Sequence, residues 1–154
     1  AWFGKNGFQA WRTAIGDVAD AGRWLVAEGA EADRLAIVGW SYGGYAALQS
    51  QVLDPALFKA VVAIAPVTDL ESLREDARPY TSYNWVSRFI GQGPHVAAGS
   101  PARHASRFAA PVMLVHGTMD QAVAVRQSRL MADRLKDAGK EVSYIELDGL
   151  GHDL

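Results

Sequence analysis

Apolar side chains at Trp11, Ile15, Val18 and Leu25, with Gly22 in phase, recur at helical spacing, and Arg12, Asp17, Asp20 and Arg23 fill the gaps between them. The spacing predicts an amphipathic helix that ends near Gly29. The next signal differs in kind. Arg34 to Gly39 (RLAIVG), Lys59 to Pro66 (KAVVAIAP), Ala110 to Gly117 (APVMLVHG) and Glu141 to Gly149 (EVSYIELDG) are short apolar runs with little alternation. Between them lie Gly43 to Leu53, stopped by Asp54-Pro55, and Ala124 to Gly139, with Val125, Leu130, Met131 and Leu135 at helical intervals. Continuous apolar strands separated by helices predict parallel pairing with both faces covered, an α/β three-layer α/β/α sandwich of about four strands. Residues 68–107 carry no clear period and are expected to be irregular.

Composition narrows the chemistry. The 154 residues are 49% hydrophobic and 21% charged, with a net charge of −2, the balance of a globular domain with a sizeable core. That mixed, nearly neutral charge offers no footprint for nucleic acid, and no apolar run approaches the roughly 18 residues that span a bilayer. Without cysteine the chain has no disulfide, thiol nucleophile or thiolate metal site. The compartment stays open. The chain begins at Ala1 and stops two residues after His152, and it reads as a fragment of something longer.

In parallel sheets of this kind, sites lie beyond the carboxyl ends of the strands. The first strand runs into Val38–Tyr45, VGWSYGGY, a G-x-S-x-G pattern with a strand before it and a helix after it. That context marks Ser41 as a nucleophile on a strained turn, with Gly39 and Gly43 letting the two backbones approach. The following helix aims its free N–H groups and positive end at the serine. The Tyr42 N–H is placed to receive an oxyanion.

A serine hydroxyl needs a base, and the base needs an acid to orient it. After such a turn the chain order is acid, then histidine. Asp120 lies beyond the third strand and His152 beyond the fourth, 32 residues later, about one helix plus one strand. His116 also follows the third strand but precedes Asp120, and it reads as a histidine that shapes the loop. His95 and His104 read as surface or packing residues. Asp148 and Asp153 are rival acids, less well placed, and Asp69 reads as a helix N-cap, with a site-facing role as its alternative. A metal site of His116, Asp120 and His152 would leave Ser41 and its glycines without a purpose, so no metal or organic cofactor is expected.

These residues resemble the catalytic domain of the prolyl oligopeptidase family of serine peptidases, in its acylaminoacyl-peptidase and dipeptidyl-peptidase-like branches. GWSYGGY, FKAVVAIAPVTDL, PVMLVHGTMDQAV and GLGHDL carry the likeness, which runs through nearly the whole chain. The resemblance implies an α/β-hydrolase fold of which this chain is the C-terminal half, with Ser41 as nucleophile, Asp120 as acid and His152 as base. Tyr42 would supply one oxyanion N–H. It also implies an N-terminal β-propeller and a first half of the hydrolase domain, carrying a second oxyanion donor, that are absent from this chain.

The resemblance implies short peptides as substrates, the missing N-terminal part of the same chain as a partner and self-association as a further candidate. Where dipeptidyl peptidases place an asparagine two residues after the acid, this chain has Ala122. Tyr83 and Trp85 are the candidates to line an apolar pocket for the residue before the cleaved bond, and ordinary packing is their alternative role. Two other functional readings stand beside the peptidase: a carboxylesterase using the same three residues, and an inactive fragment whose first strand is an exposed sheet edge.

Overall fold

The computed structural model describes residues 7–153. Its centre is a parallel sheet of four strands in the order β1-β2-β3-β4: β1 (Ala36–Trp40), β2 (Ala60–Ile64), β3 (Val112–Gly117) and β4 (Val142–Leu147). The α/β class and the parallel pairing agree with the apolar runs in the sequence. Pairing aligns Val38 with Val62, Val62 with Met113 and Met113 with Ser143, so all four strands end at the same margin. Among the described residues β1 pairs with β2 alone and forms an edge.

Helix α1 (Trp11–Ala27) follows a short 3-10 turn, Gly7–Ala10, and buries Trp11, Ile15, Ala19 and Gly22. Helix α2 (Tyr42–Leu53) connects β1 to β2 and is buried along most of its length. Its tyrosine, alanine and leucine side chains leave no polar stripe, as expected of a helix packed on all sides. Residues 68–107, expected to be irregular, hold helices α3 (Leu70–Ala77), α4 (Tyr83–Ile90) and α5 (Pro94–Ala98), then a 3-10 segment at Pro101–Arg107. The starts of α3, α5 and the 3-10 segment are chemically marked. The Asp69 carboxylate accepts the Ser72 N–H at 2.8 Å, the N-cap expected from sequence, and α5 and the 3-10 segment each open on proline. The elements are too short for a periodic signal to stand out. Helix α6 (Arg126–Asp137) connects β3 to β4.

One core lies between the sheet and helices α2 and α6. Ala47, Leu48 and Val52 meet Met131, Ala132 and Leu135 over Val61, Ala63, Val112 and Leu114. A second joins α1 and α2 to helices α3 to α5, through Trp11, Ile15, Tyr45, Leu70, Ile90 and Val96. The opposite face of the sheet carries Val38, Trp40, Met113 and Ile145, all exposed among the described residues. The helices described thus cover one face, where the strand pattern predicts cover on both. A side-chain amide braces the exit of β2: Gln127 of α6, fully buried, accepts the N–H groups of Thr68 and Asp69 at 2.8 and 2.9 Å.

Candidate active site

Ser41 stands between the last residue of β1 and the first of α2. Its backbone is in the left-handed region, φ 57° and ψ −118°, a strained conformation for a residue with a side chain. The turn is held by the Ser41 N–H donating to the Ile64 carbonyl at 2.8 Å and the Tyr45 N–H donating to the Ser41 carbonyl at 3.0 Å. A Cβ at Gly39 would lie 2.0 Å from the Gly43 carbonyl oxygen, so the sharp reversal requires glycine there. The backbone of Gly43 thus comes against Gly39 as expected, but a Cβ on Gly43 itself would face open space, so the approach requires glycine at 39 and not at 43. Gly44 is the second tight position, where a Cβ would meet Pro66 and the Ile64 carbonyl at 3.0 and 3.1 Å. Tyr42 opens α2, where first-turn amides point out of the helix end.

The three residues picked from the chain order come together. The Ser41 Oγ lies 2.9 Å from His152 Nε2, and His152 Nδ1 lies 2.7 Å from Asp120 Oδ2. Asp120 has its side chain fully buried, while that of His152 is 19% exposed. The other carboxylate oxygen, Oδ1, accepts the N–H groups of Ala122 and Val123, both at 2.9 Å. Burial pushes the Asp120 carboxyl up, but the hydrogen bonds from His152, Val123 and Ala122 outweigh it and hold the group below its ordinary value. An ionised carboxylate therefore fixes Nδ1–H on His152, leaving the Nε2 lone pair to face the serine hydroxyl.

His116 also faces Asp120. Fully buried, it places Nε2 3.1 Å from Asp120 Oδ2 and 2.8 Å from the Val123 carbonyl, with Nδ1 2.7 Å from Ser128 Oγ. Burial lowers its pKa, against the opposing pull of the Val123 carbonyl and Asp120. Four further candidates are engaged elsewhere. His95 and His104 bond the carbonyls of Ile90 and Ala97, Asp148 accepts the Thr118 hydroxyl at 3.0 Å, and Asp69 pairs with Arg103. Among the described residues no three His, Asp or Glu side chains converge as a metal site requires.

An apolar cavity of about 510 Å³ opens beside Ser41, a size typical of small-molecule sites. Tyr42, Val67, Trp85, Val86, Phe89 and Val123 are among its walls. Trp85 is stacked on Phe89, with ring centroids 4.8 Å apart and 12° between planes. Tyr83 stands outside that lining, with the Arg78 guanidinium 5.9 Å over its ring. Phe8 also lines the cavity and carries no motif that would have marked it in the sequence. Trp40 was likewise unmarked as a contact of the site, although it immediately precedes Ser41: its Nε1–H donates to the His152 carbonyl at 3.0 Å.

A parallel sheet that presents a serine on a strand-to-helix turn, facing an imidazole and a buried carboxylate from later strand ends, defines an α/β-hydrolase-type domain. The model of the prolyl oligopeptidase family matches residues 5–154, and the chain belongs to that family of serine peptidases. A solved puromycin-hydrolyzing peptidase of Mycobacterium tuberculosis superposes with a TM-score of 0.87 and 31% identity, over 100% of this chain and 24% of its own. The dipeptidyl aminopeptidase BIII of Pseudoxanthomonas mexicana is 28% identical over 146 residues, 88% of this chain and 21% of that protein. The esterase LipC of Mycobacterium tuberculosis is 27% identical over 168 aligned residues, 92% of this chain and 41% of that enzyme. The chain thus spans less than half the length of each of these relatives.

Proposed function

We propose that this chain carries the catalytic machinery of a serine peptidase that hydrolyses short peptides through an acyl-enzyme. His152 Nε2 takes the Ser41 proton as Oγ attacks the scissile carbonyl carbon. The carbonyl oxygen becomes an oxyanion beside the first turn of α2, where the Tyr42 N–H donates to it. Loss of one such donor typically slows turnover by about 10²–10³. The C–N bond then breaks as His152 returns the proton to the leaving amine. Water attacks the acyl-serine, with His152 again the base, and the acid product leaves. Asp120 keeps the imidazole oriented and stabilises its cation. The chemistry needs no cofactor.

The continuous Ser41–His152–Asp120 hydrogen-bond chain, at 2.9 and 2.7 Å, is the observation that carries this reading. The cavity beside Ser41, walled by Trp85 and Phe89, supports an apolar side chain before the cleaved bond. A fluorophosphonate probe should label the protein and fail to label Ser41→Ala. Equal labelling of the two would remove Ser41 from the role.

The esterase LipC among the relatives favours a second reading, ester hydrolysis by the same three residues. Aminoacyl and dipeptidyl p-nitroanilides compared with a p-nitrophenyl ester separate the two. Ester turnover without anilide cleavage would select the esterase.

A further inference from the structure

We propose that His116 and Ser128 form a positioning pair that holds the Asp120 carboxylate and sets how strongly it grips His152. The inference rests on the peptidase reading of Ser41, Asp120 and His152. Its starting point is the Oδ2 atom of Asp120, which lies within hydrogen-bond distance of two imidazoles, His152 at 2.7 Å and His116 at 3.1 Å.

The tautomer of His116 follows from its neighbours. Its Nε2 faces two acceptors, Asp120 Oδ2 and the Val123 carbonyl, so that nitrogen carries the proton and shares it between them. Its Nδ1 then has a lone pair, and Ser128 Oγ at 2.7 Å is the donor that meets it. Burial keeps the ring neutral. Ser128 sits in the first turn of α6 and is itself fully buried, so a fixed element of the fold selects the tautomer. A chain of donors runs from Ser128 to His116 to Asp120, and it meets the chain from His152 on the same oxygen.

Two consequences follow. The shared N–H ties the Asp120 carboxylate and the 120–123 loop, through Val123, to β3. It also draws negative charge from Oδ2 and so weakens that atom as acceptor for the His152 N–H. Without it, Oδ2 would grip the His152 imidazolium harder, and the carboxylate would lose one of its four hydrogen bonds. The titratable groups around His116 are Asp120 and His152 at the strand ends and Glu146, its register partner on β4, which is paired with Arg129 of α6 and bonded by Tyr144.

The test uses three variants of the full chain. His116→Gln keeps an N–H at the ε position, His116→Phe fills the space without a donor, and Ser128→Ala frees the tautomer. The readouts are the pH dependence of fluorophosphonate labelling and the proton resonance of the His152 Nδ1–H, which needs no activity. In His116→Phe the acidic limb of labelling should move to higher pH by about 0.5–1 unit. The plateau rate should drop, and the Nδ1–H resonance should move downfield. Ser128→Ala should move both readouts the same way by a smaller amount, and His116→Gln should stay near wild type.

An unmoved limb and resonance in folded His116→Phe would overturn the proposal, as would His116→Gln behaving like His116→Phe. If His116→Phe does not fold, unchanged readouts in Ser128→Ala overturn it. A wild type that resists labelling refutes the peptidase reading separately, and the resonance still decides whether His116 governs the bond between Asp120 and His152.

Discussion

The indole N–H of Trp40 reaches 112 positions along the chain to donate to the main-chain carbonyl of His152, and its ring lies 5.0 Å from the imidazole at a 37° tilt. The residue just before Ser41 therefore restrains the loop that carries His152. Both partners of the Ser41–His152 hydrogen bond are anchored to the end of β1, one covalently and one through this indole.

That clamp can be removed in two stages. Trp40→Phe keeps a ring against His152 and deletes the hydrogen bond, worth about 1 kcal/mol, or roughly fivefold in labelling rate. Trp40→Ala removes the ring as well and should lose more. Fluorophosphonate labelling at fixed pH, beside thermal melts to confirm folding, reads both.

The loop bearing His152 also presses on β3. A Cβ at Gly117 would lie 2.3 Å from the Leu150 carbonyl oxygen and 2.6 Å from that of Gly151. Gly117→Ala must push this loop away, and a shift of about 1 Å in a reacting group can cost on the order of 10² in rate. We expect labelling to fall by that order while the circular-dichroism spectrum stays close to wild type. Full labelling of a folded Gly117→Ala protein would contradict the geometry.

The cavity wall at Ala122 offers a test of substrate choice. Its backbone N–H holds Asp120 Oδ1, and any residue but proline preserves that bond. Ala122→Phe fills space without touching the proton path. The kcat/KM ratio of a phenylalanyl over an alanyl anilide should drop by about tenfold.

Stability should depend on pH through His116. Its folded-state pKa lies below the ordinary 6.5, so the unfolded chain takes up a proton first as pH falls. The stability contribution is complete above about pH 6.5 and declines as pH falls toward the folded value, by at most about 1.4 kcal/mol per unit. Asp69 and Asp120 act lower: each is held below 3.8, so their contributions persist above that value and are lost as pH falls through the folded pKa values. Urea midpoints between pH 7 and pH 5 should slope in wild type, and the slope should flatten in His116→Gln.

Much of the site was legible because its residues sit where strands end. VGWSYGGY, VHGTMD and GLGHDL each follow an apolar run, and chain order picks out Asp120 and His152, which the fold brings to Ser41. Asp69 was legible as a cap because its carboxylate serves an N–H three residues away. Helices α3 and α4 were not, since eight residues give barely two turns of periodicity, too few to separate from loop. Trp85 was legible as an aromatic near the site, whereas Tyr83, two positions earlier on the same helix, points to another side and meets Arg78.

By itself the sequence determined the α/β class and the parallel strands and singled out Ser41, Asp120 and His152 as candidates, because these depend on local pattern and on order along the chain. Tertiary structure alone decided that Trp40 clamps His152, that His116 and His152 share one oxygen of Asp120, and that Gly39 and Gly44, rather than Gly43, are the tight positions. Those are distances between segments far apart in the chain, or between elements that turn back on one another. No periodicity encodes such distances; they are set by strand register and by how closely α2 and α6 pack on the sheet.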